Sequence, residues 1–379
     1  MSGGMELYLH MPFCVRKCAY CDFLSFPSGA ETQRMYAKRL MKDIDVMGKR
    51  YGEIPVETIF IGGGTPSVPD SALIVEIMEH VRHAFHVADG AEISMEANPG
   101  TVTREKLTDY RKAGINRLSF GLQSANDREL KLLGRIHTWA EFLESFTLAR
   151  ECGFANLNID LMSALPGQTC ESWKETLSRV TDLDPEHISA YSLIIEEGTP
   201  FGERYGSEEG RKLLPDEDSE REMYHETKRF LKDCGYERYE ISNYAKPGRE
   251  CRHNIGYWTG GPYLGLGLGA SSYLDGCRFT VNPDMKQYLE EKPGMFADIE
   301  KLTKKDMEEE FFYVGLRMTA GVSLSEFERR FGISAKEVYP GLMETFVKEK
   351  AARFEGDRFV LTDYGLDVSN YIMALFLQD

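Results

Sequence analysis

The chain has 379 residues, 42% of them hydrophobic, and a formal net charge of -16. That length suits one barrel-sized domain with a smaller one appended. The acidic balance argues against nucleic acid and anionic membrane as partners, and no apolar run is long enough to span a bilayer.

The first residues, MSGGMELYLHMPFC, lack the basic start and long apolar stretch of a signal peptide, so a cytoplasmic location is expected. From residue 5 to about 195, short apolar runs alternate with helical patterns. The runs are Leu7–His10, Val56–Ile61, Ile93–Ala97, Arg117–Leu122, Leu157–Met162 and Ile188–Leu193. The helical stretches are Thr32–Lys49, Ser71–Phe85, Arg104–Ala113, Trp139–Glu151 and Glu171–Thr181. Repeated strand–helix units predict parallel strands with right-handed crossovers. Six of them predict a partial parallel (β/α)6 barrel over residues 1–202. Ligands of such folds bind at the carboxyl ends of the strands, and the polar signals of this segment fall there.

Residues 203–219 are polar and read as a linker, followed by a helix over Glu220–Cys234 and a strand over Arg238–Tyr244. Residues 246–276 are rich in glycine and aromatics, which predicts an ordered docking segment. Together, 203–302 form an accessory α+β segment. The remainder, 303–379, predicts helices at Asp306–Met318, Leu324–Phe331 and Lys336–Lys350, then a strand–turn–strand and a final helix. That order is winged-helix-like. The mixed charge of Lys336–Lys350 favours a packing module over a DNA reader.

Eight cysteines are present, and a large acidic chain is not a disulfide scaffold. Five are scattered, while Cys14, Cys18 and Cys21 follow C-x3-C-x2-C spacing. Thiolates this close can surround one soft metal centre. A structural zinc site wants four ligands, and no fourth Cys or His follows nearby. Three thiolates suit a 4Fe-4S cubane with one iron left open to a small molecule.

Here the sequence resembles the radical S-adenosylmethionine superfamily, whose signature is C-x3-C-x-aromatic-C, with Tyr20 as the aromatic. Ile61-Gly62-Gly63-Gly64-Thr65-Pro66 is similar to that family's GGGTP loop. The resemblance narrows to the oxygen-independent coproporphyrinogen III oxidases and their relatives. It rests on Tyr8-Leu-His10-Met-Pro12-Phe13-Cys14, Gly121-Leu-Gln123, Leu133-Gly134-Arg135-x-His137, Asn158-Ile-Asp160 and Leu165-Pro166-Gly167-Gln168-Thr169. It implies S-adenosylmethionine held by Tyr8, Tyr20, Gly63, Gly64, Thr65, Glu96, Gln123, Arg135 and Asp160. The cluster would supply one electron for cleaving the sulfonium.

Two features separate subgroups within this family. The oxidases, which convert two propionates to vinyls, continue the cysteine motif to a fourth Cys and carry an N-terminal extension. Here Phe23 stands at the fourth-Cys position and Cys14 lies near the start. Both features match the HemW-type heme chaperones instead, whose motif ends CDF and which carry HNxxYW. Here that motif is His253-Asn254-Ile-Gly-Tyr257-Trp258. The resemblance implies heme as ligand, with His253 as a candidate axial ligand and Asn254, Tyr257 and Trp258 beside the porphyrin. It also implies a heme-accepting protein, an electron donor such as a flavodoxin or ferredoxin, membrane contact only through a partner, and a monomer or dimer.

Overall fold

The computed structural model describes residues 4–377. Its barrel strands are β1 (Met5–Met11), β2 (Val56–Gly63), β3 (Val87–Ala97), β4 (Arg117–Gln123), β5 (Leu157–Ser163) and β6 (His187–Ser192). Between them run α1 (Ala30–Tyr51), α2 (Ser71–Ala84), α3 (Arg104–Lys112), α4 (Asp127–Leu132), α5 (Trp139–Glu151) and α6 (Cys170–Thr181). The six strands pair in parallel, in sequence order. The predicted partial barrel is therefore present, with α4 as an added short helix.

Alternation along each strand builds the fold and the site together. On β1, Met5, Leu7, Leu9 and Met11 are fully or almost fully buried in the apolar core with the helices. Glu6, Tyr8 and His10 share the opposite face, in register with Thr58, Phe60 and Gly62 of β2. The same face continues through Glu92, Ser94 and Glu96 of β3 to Asn158 and Asp160 of β5. One face of the sheet is a greasy seat for helices. The other is a polar lining.

Helices α2 to α6 each begin on a side-chain cap, from Asp70, Thr103, Asn126, Thr138 and Thr169 respectively. Each cap is worth ~1 kcal/mol. All but Thr138, which follows α4, sit where strands hand over to helices, so they also fix the loops at the carboxyl end of the barrel.

The accessory segment extends this sheet to twelve strands, in the order β12-β11-β10-β9-β1-β2-β3-β4-β5-β6-β8-β7. The added strands are β7 (Glu237–Arg238), β8 (Asn243–Ala245), β9 (Tyr263–Leu266), β10 (Ser271–Leu274), β11 (Cys277–Thr280) and β12 (Asp298–Lys301). β9 lies parallel beside β1, and β8 runs antiparallel beside β6. Residues such as Met223, Tyr244, Leu264 and Tyr288 belong to the same apolar core as the barrel.

Three local expectations are corrected. Residues 203–219 are no open linker: Pro200–Tyr205 and Glu208–Arg211 are short capped helices, and the long helix already starts at Glu217. The strand expected over Arg238–Tyr244 is two short antiparallel strands, with the fully buried Glu240 between them. Its carboxylate accepts from Ser242 N, Asn243 Nδ2 and Arg317, which bends the chain away from the ladder. The helix expected over Lys336–Lys350 breaks into Ala335–Val338 and Leu342–Lys348, because Pro340 and the left-handed Gly341 (φ 75°) interrupt it. The C-terminal unit otherwise follows the winged-helix-like order, with its own core around Phe312, Phe327, Phe359 and Phe376.

Candidate cluster and cofactor site

The cysteine loop leaves β1 at its carboxyl end and is stitched down on both flanks. Cys14 N donates to Phe26 O and Ala19 N donates to Leu133 O. Beneath it, the backbone of Gly64 and Thr65 donates to Met11 O and Phe13 O at 2.9 and 2.7 Å. A Cβ on Gly64 would stand 2.8 Å from Phe13 O, so only glycine allows this approach.

All three thiols are partly exposed. Among the described residues, no three His, Cys, Asp or Glu side chains close on one point as ligands of a single ion do. The thiols still share one field, since Cys21 is raised by burial and then by Cys18 and Cys14. Two of them face donors: Thr65 Oγ1 stands 3.5 Å from Cys14 Sγ, and Arg135 Nη1 donates to Cys18 Sγ at 3.5 Å. Softness, number and spread of the donors suit a multi-iron cluster better than one hard ion.

Around this loop the strand ends bring the other expected residues together. Glu96 accepts from Gly63 N at 3.0 Å, and its pKa is pushed up to about 7, first by burial and then by Asp160. Asp160 accepts from Ser119 and Asn158 at 3.0 and 2.7 Å, and burial raises it too. Two half-buried carboxyls raised in one chamber make a place for an ammonium and for hydroxyls. Gln123, at a left-handed φ of 77°, accepts from the Tyr191 hydroxyl at 2.9 Å. Tyr20 stands beside Cys18 and Arg135. Arg135 donates to Asn98 Oδ1 at 2.6 Å and to Gly121 O, while its Nε is buried without a partner.

Tyr8 reaches the site through a residue that the sequence reading quoted but gave no role. His10 Nε2 lies 3.0 Å from Leu24 O, a pure acceptor, so it carries the proton. His10 Nδ1 is then the acceptor for the Tyr8 hydroxyl at 3.0 Å. The strand alternation that pairs residues 8 and 10 on one face is the signal for it. Asn98 was also missed; Glu96-Ala-Asn98-Pro99 at the end of β3 marks its place.

The HNxxYW motif lies at the other end of the barrel. It forms a short helix, Arg252–Trp258, over the starts of β1 to β3. His253 is 1% exposed, stacks on Phe60, and uses both ring nitrogens: Nδ1 with Thr58 Oγ1 at 2.7 Å and Nε2 with Tyr257 Oη at 2.9 Å. The expectation that His253 offers a free nitrogen to iron is therefore not met in this conformation. Tyr257 packs on Tyr263, and Trp258 lies under the Arg317 guanidinium at 4.3 Å. Asn254 is half-buried on the same helix.

This helix approaches so closely that a Cβ on Gly256 would stand 1.7 Å from Glu6 Oε1. Glu6 is pushed up to about 8 by burial, and His253 down to about 3 by burial, so the two stand as a neutral pair 3.8 Å apart. The stability linkage of Glu6 has a definite sign. A raised carboxyl stabilises the fold fully below its unfolded pKa of about 4.5 and loses this as pH rises through about 8. His253 acts oppositely, losing its contribution as pH falls from about 6.5 toward about 3. Glu6→Gln is therefore expected to raise the melting temperature over wild type by a margin that widens between pH 5 and 8. The full linkage, from 4.5 to about 8, amounts to about 5 kcal/mol. Calorimetry showing a pH-independent margin would refute this.

Comparison with known proteins follows the same lines. A model described as the radical SAM superfamily matches residues 8–180, and one described as the HemN C-terminal domain matches residues 302–368. The solved structure of coproporphyrinogen III oxidase (HemN) from Escherichia coli superposes with a TM-score of 0.86 at 24% identity, covering 100% of this chain and 91% of that one. An open α/β barrel with a terminal thiol loop, followed by a HemN-type domain, is the class so defined. Among curated relatives, heme chaperone HemW of Bacillus subtilis is 35% identical over 98% of both chains. Heme chaperone HemW of Escherichia coli is 35% identical over 99% of this chain and 98% of its own. The chain belongs to the HemW family of radical SAM proteins.

Proposed function

We propose that the chain binds heme and passes it to acceptor proteins, with a 4Fe-4S cluster and S-adenosylmethionine as resident cofactors. The observation carrying this is identity of 35% over nearly the full length to relatives named heme chaperones. Phe23 supports it: at the fourth-Cys position of the oxidases it presents a 65% exposed benzyl group, which cannot bind iron. Cys14, Cys18 and Cys21 would hold the cluster, and Glu96, Gln123 and Asp160 would hold the methionine and ribose groups of the cofactor. When bound, the cluster would supply an electron to the sulfonium. The protein's share is to fix and desolvate these groups.

The test has two arms. Cluster-loaded protein given coproporphyrinogen III, S-adenosylmethionine and reductant is expected to form no protoporphyrinogen, and sustained formation would overturn the proposal. Hemin titration is expected to give a saturable Soret shift. His253→Gln, whose amide can keep both hydrogen bonds, is expected to bind heme with an unchanged spectrum. A lost axial signature in that variant would make His253 the ligand and require its helix to leave the barrel floor.

A further inference from the structure

Asn98 stands at the centre of a hydrogen-bonded arc that joins two of the three thiols. Its amide oxygen accepts from Arg135 Nη2 at 2.6 Å, and its amide nitrogen donates to Thr65 Oγ1 at 2.7 Å. At the two ends, Arg135 Nη1 meets Cys18 Sγ and Thr65 Oγ1 meets Cys14 Sγ, both at 3.5 Å.

The direction of every proton follows from chemistry. Arginine only donates, so Asn98 must present its oxygen to Arg135 and its NH2 group to Thr65. Thr65 Oγ1 thus accepts from Asn98, and its own hydrogen is free to point at Cys14 Sγ. Both ends of the arc donate to sulfur. The Asn98 backbone is held separately, by Ser67 Oγ and Thr101.

We propose that Asn98 is a positioning residue that sets the reduction potential of the cluster. It does so by holding Arg135 and Thr65 as donors to the sulfurs of Cys18 and Cys14. The proposal rests on the cluster reading above. Donors to cluster sulfurs stabilise the reduced, more negative state and raise the potential. Without Asn98, Arg135 loses one of its anchors and Thr65 loses the bond that orients its hydroxyl.

The experiment uses full-length protein reconstituted anaerobically with iron and sulfide, without S-adenosylmethionine. The reduced cluster is followed by electron paramagnetic resonance at set potentials. Asn98→Ala is expected to lower the reduced-to-oxidised ratio about tenfold at a fixed poise, about 59 mV for one electron. Asn98→Asp is expected to shift further, because its carboxylate keeps Arg135 but takes the Thr65 proton away from Cys14. Thr65→Val should reproduce part of the shift. Variants that load the cluster and titrate at the wild-type potential would overturn the proposal. Absence of a cluster in wild type would instead sink the reading beneath it. If no variant loads, resonance Raman of wild type decides: the iron–thiolate stretches are expected to shift in D2O, and unshifted bands would overturn the proposal.

Discussion

Replacing Cys18 with alanine is expected to abolish the iron–sulfur chromophore while leaving the fold standing. Two thiols do not hold a cubane that needs at least three, and Cys18 adds little to folding. It sits partly exposed in a loop whose backbone is tied elsewhere, through Cys14 N to Phe26 O and Ala19 N to Leu133 O. The loss from the fold should stay near 0.5 kcal/mol, the scale of a surface change. Iron per chain after reconstitution should fall to background, with the apo melting temperature almost unmoved. Cys152→Ala, far along the chain on the rim of α5, is expected to keep full iron. A chromophore that persists in Cys18→Ala would show that the cluster has other ligands.

The second large effect is expected at Gly63. It ends β2 with φ of 113°, a conformation that costs a non-glycine residue about 1–3 kcal/mol. An added Cβ would also stand 2.4 Å from His10 Cε1. The imidazole cannot step aside freely, because its two nitrogens hold Leu24 O and the Tyr8 hydroxyl. Gly63→Ala should therefore destabilise the fold by about 3 kcal/mol, counting backbone strain and overpacking. It should also tilt the N–H that Glu96 accepts, and weaken S-adenosylmethionine binding beyond detection by calorimetric titration of loaded protein. Wild-type affinity in this variant would show that the loop does not touch the cofactor.

The legible part of this molecule was its periodic part. The apolar runs of β1 to β6 and the thiol spacing stand in the sequence because each is a local pattern. The Asn98 arc is not local: Cys14 and Thr65 lie 51 residues apart, and Cys18 and Arg135 lie 117 apart. Only folding brings them together. Residues 238–244 misled for a related reason. Glu240 looks like an outward strand residue, yet partners from Asn243 to Arg317 pay its desolvation and turn it inward. His253 looked available because its neighbours in sequence do not show Thr58, 195 residues away. The break at Pro340 and Gly341 was different, since its signal was present and outweighed by the charged helical pattern around it.

The parallel pairing of β9 with β1 also imposes an order in time. The strand that launches the thiol loop is synthesised long before its second neighbour, which arrives only with Tyr263–Leu266. Until then β1 has an open edge, with hydrogen-bonding groups exposed beside the reactive thiols. The HNxxYW helix precedes β9 directly, so one late segment both seals that edge and closes the barrel floor. A nascent chain arrested before residue 262 is left with an unsealed thiol strand, and completion of the barrel waits on this later segment.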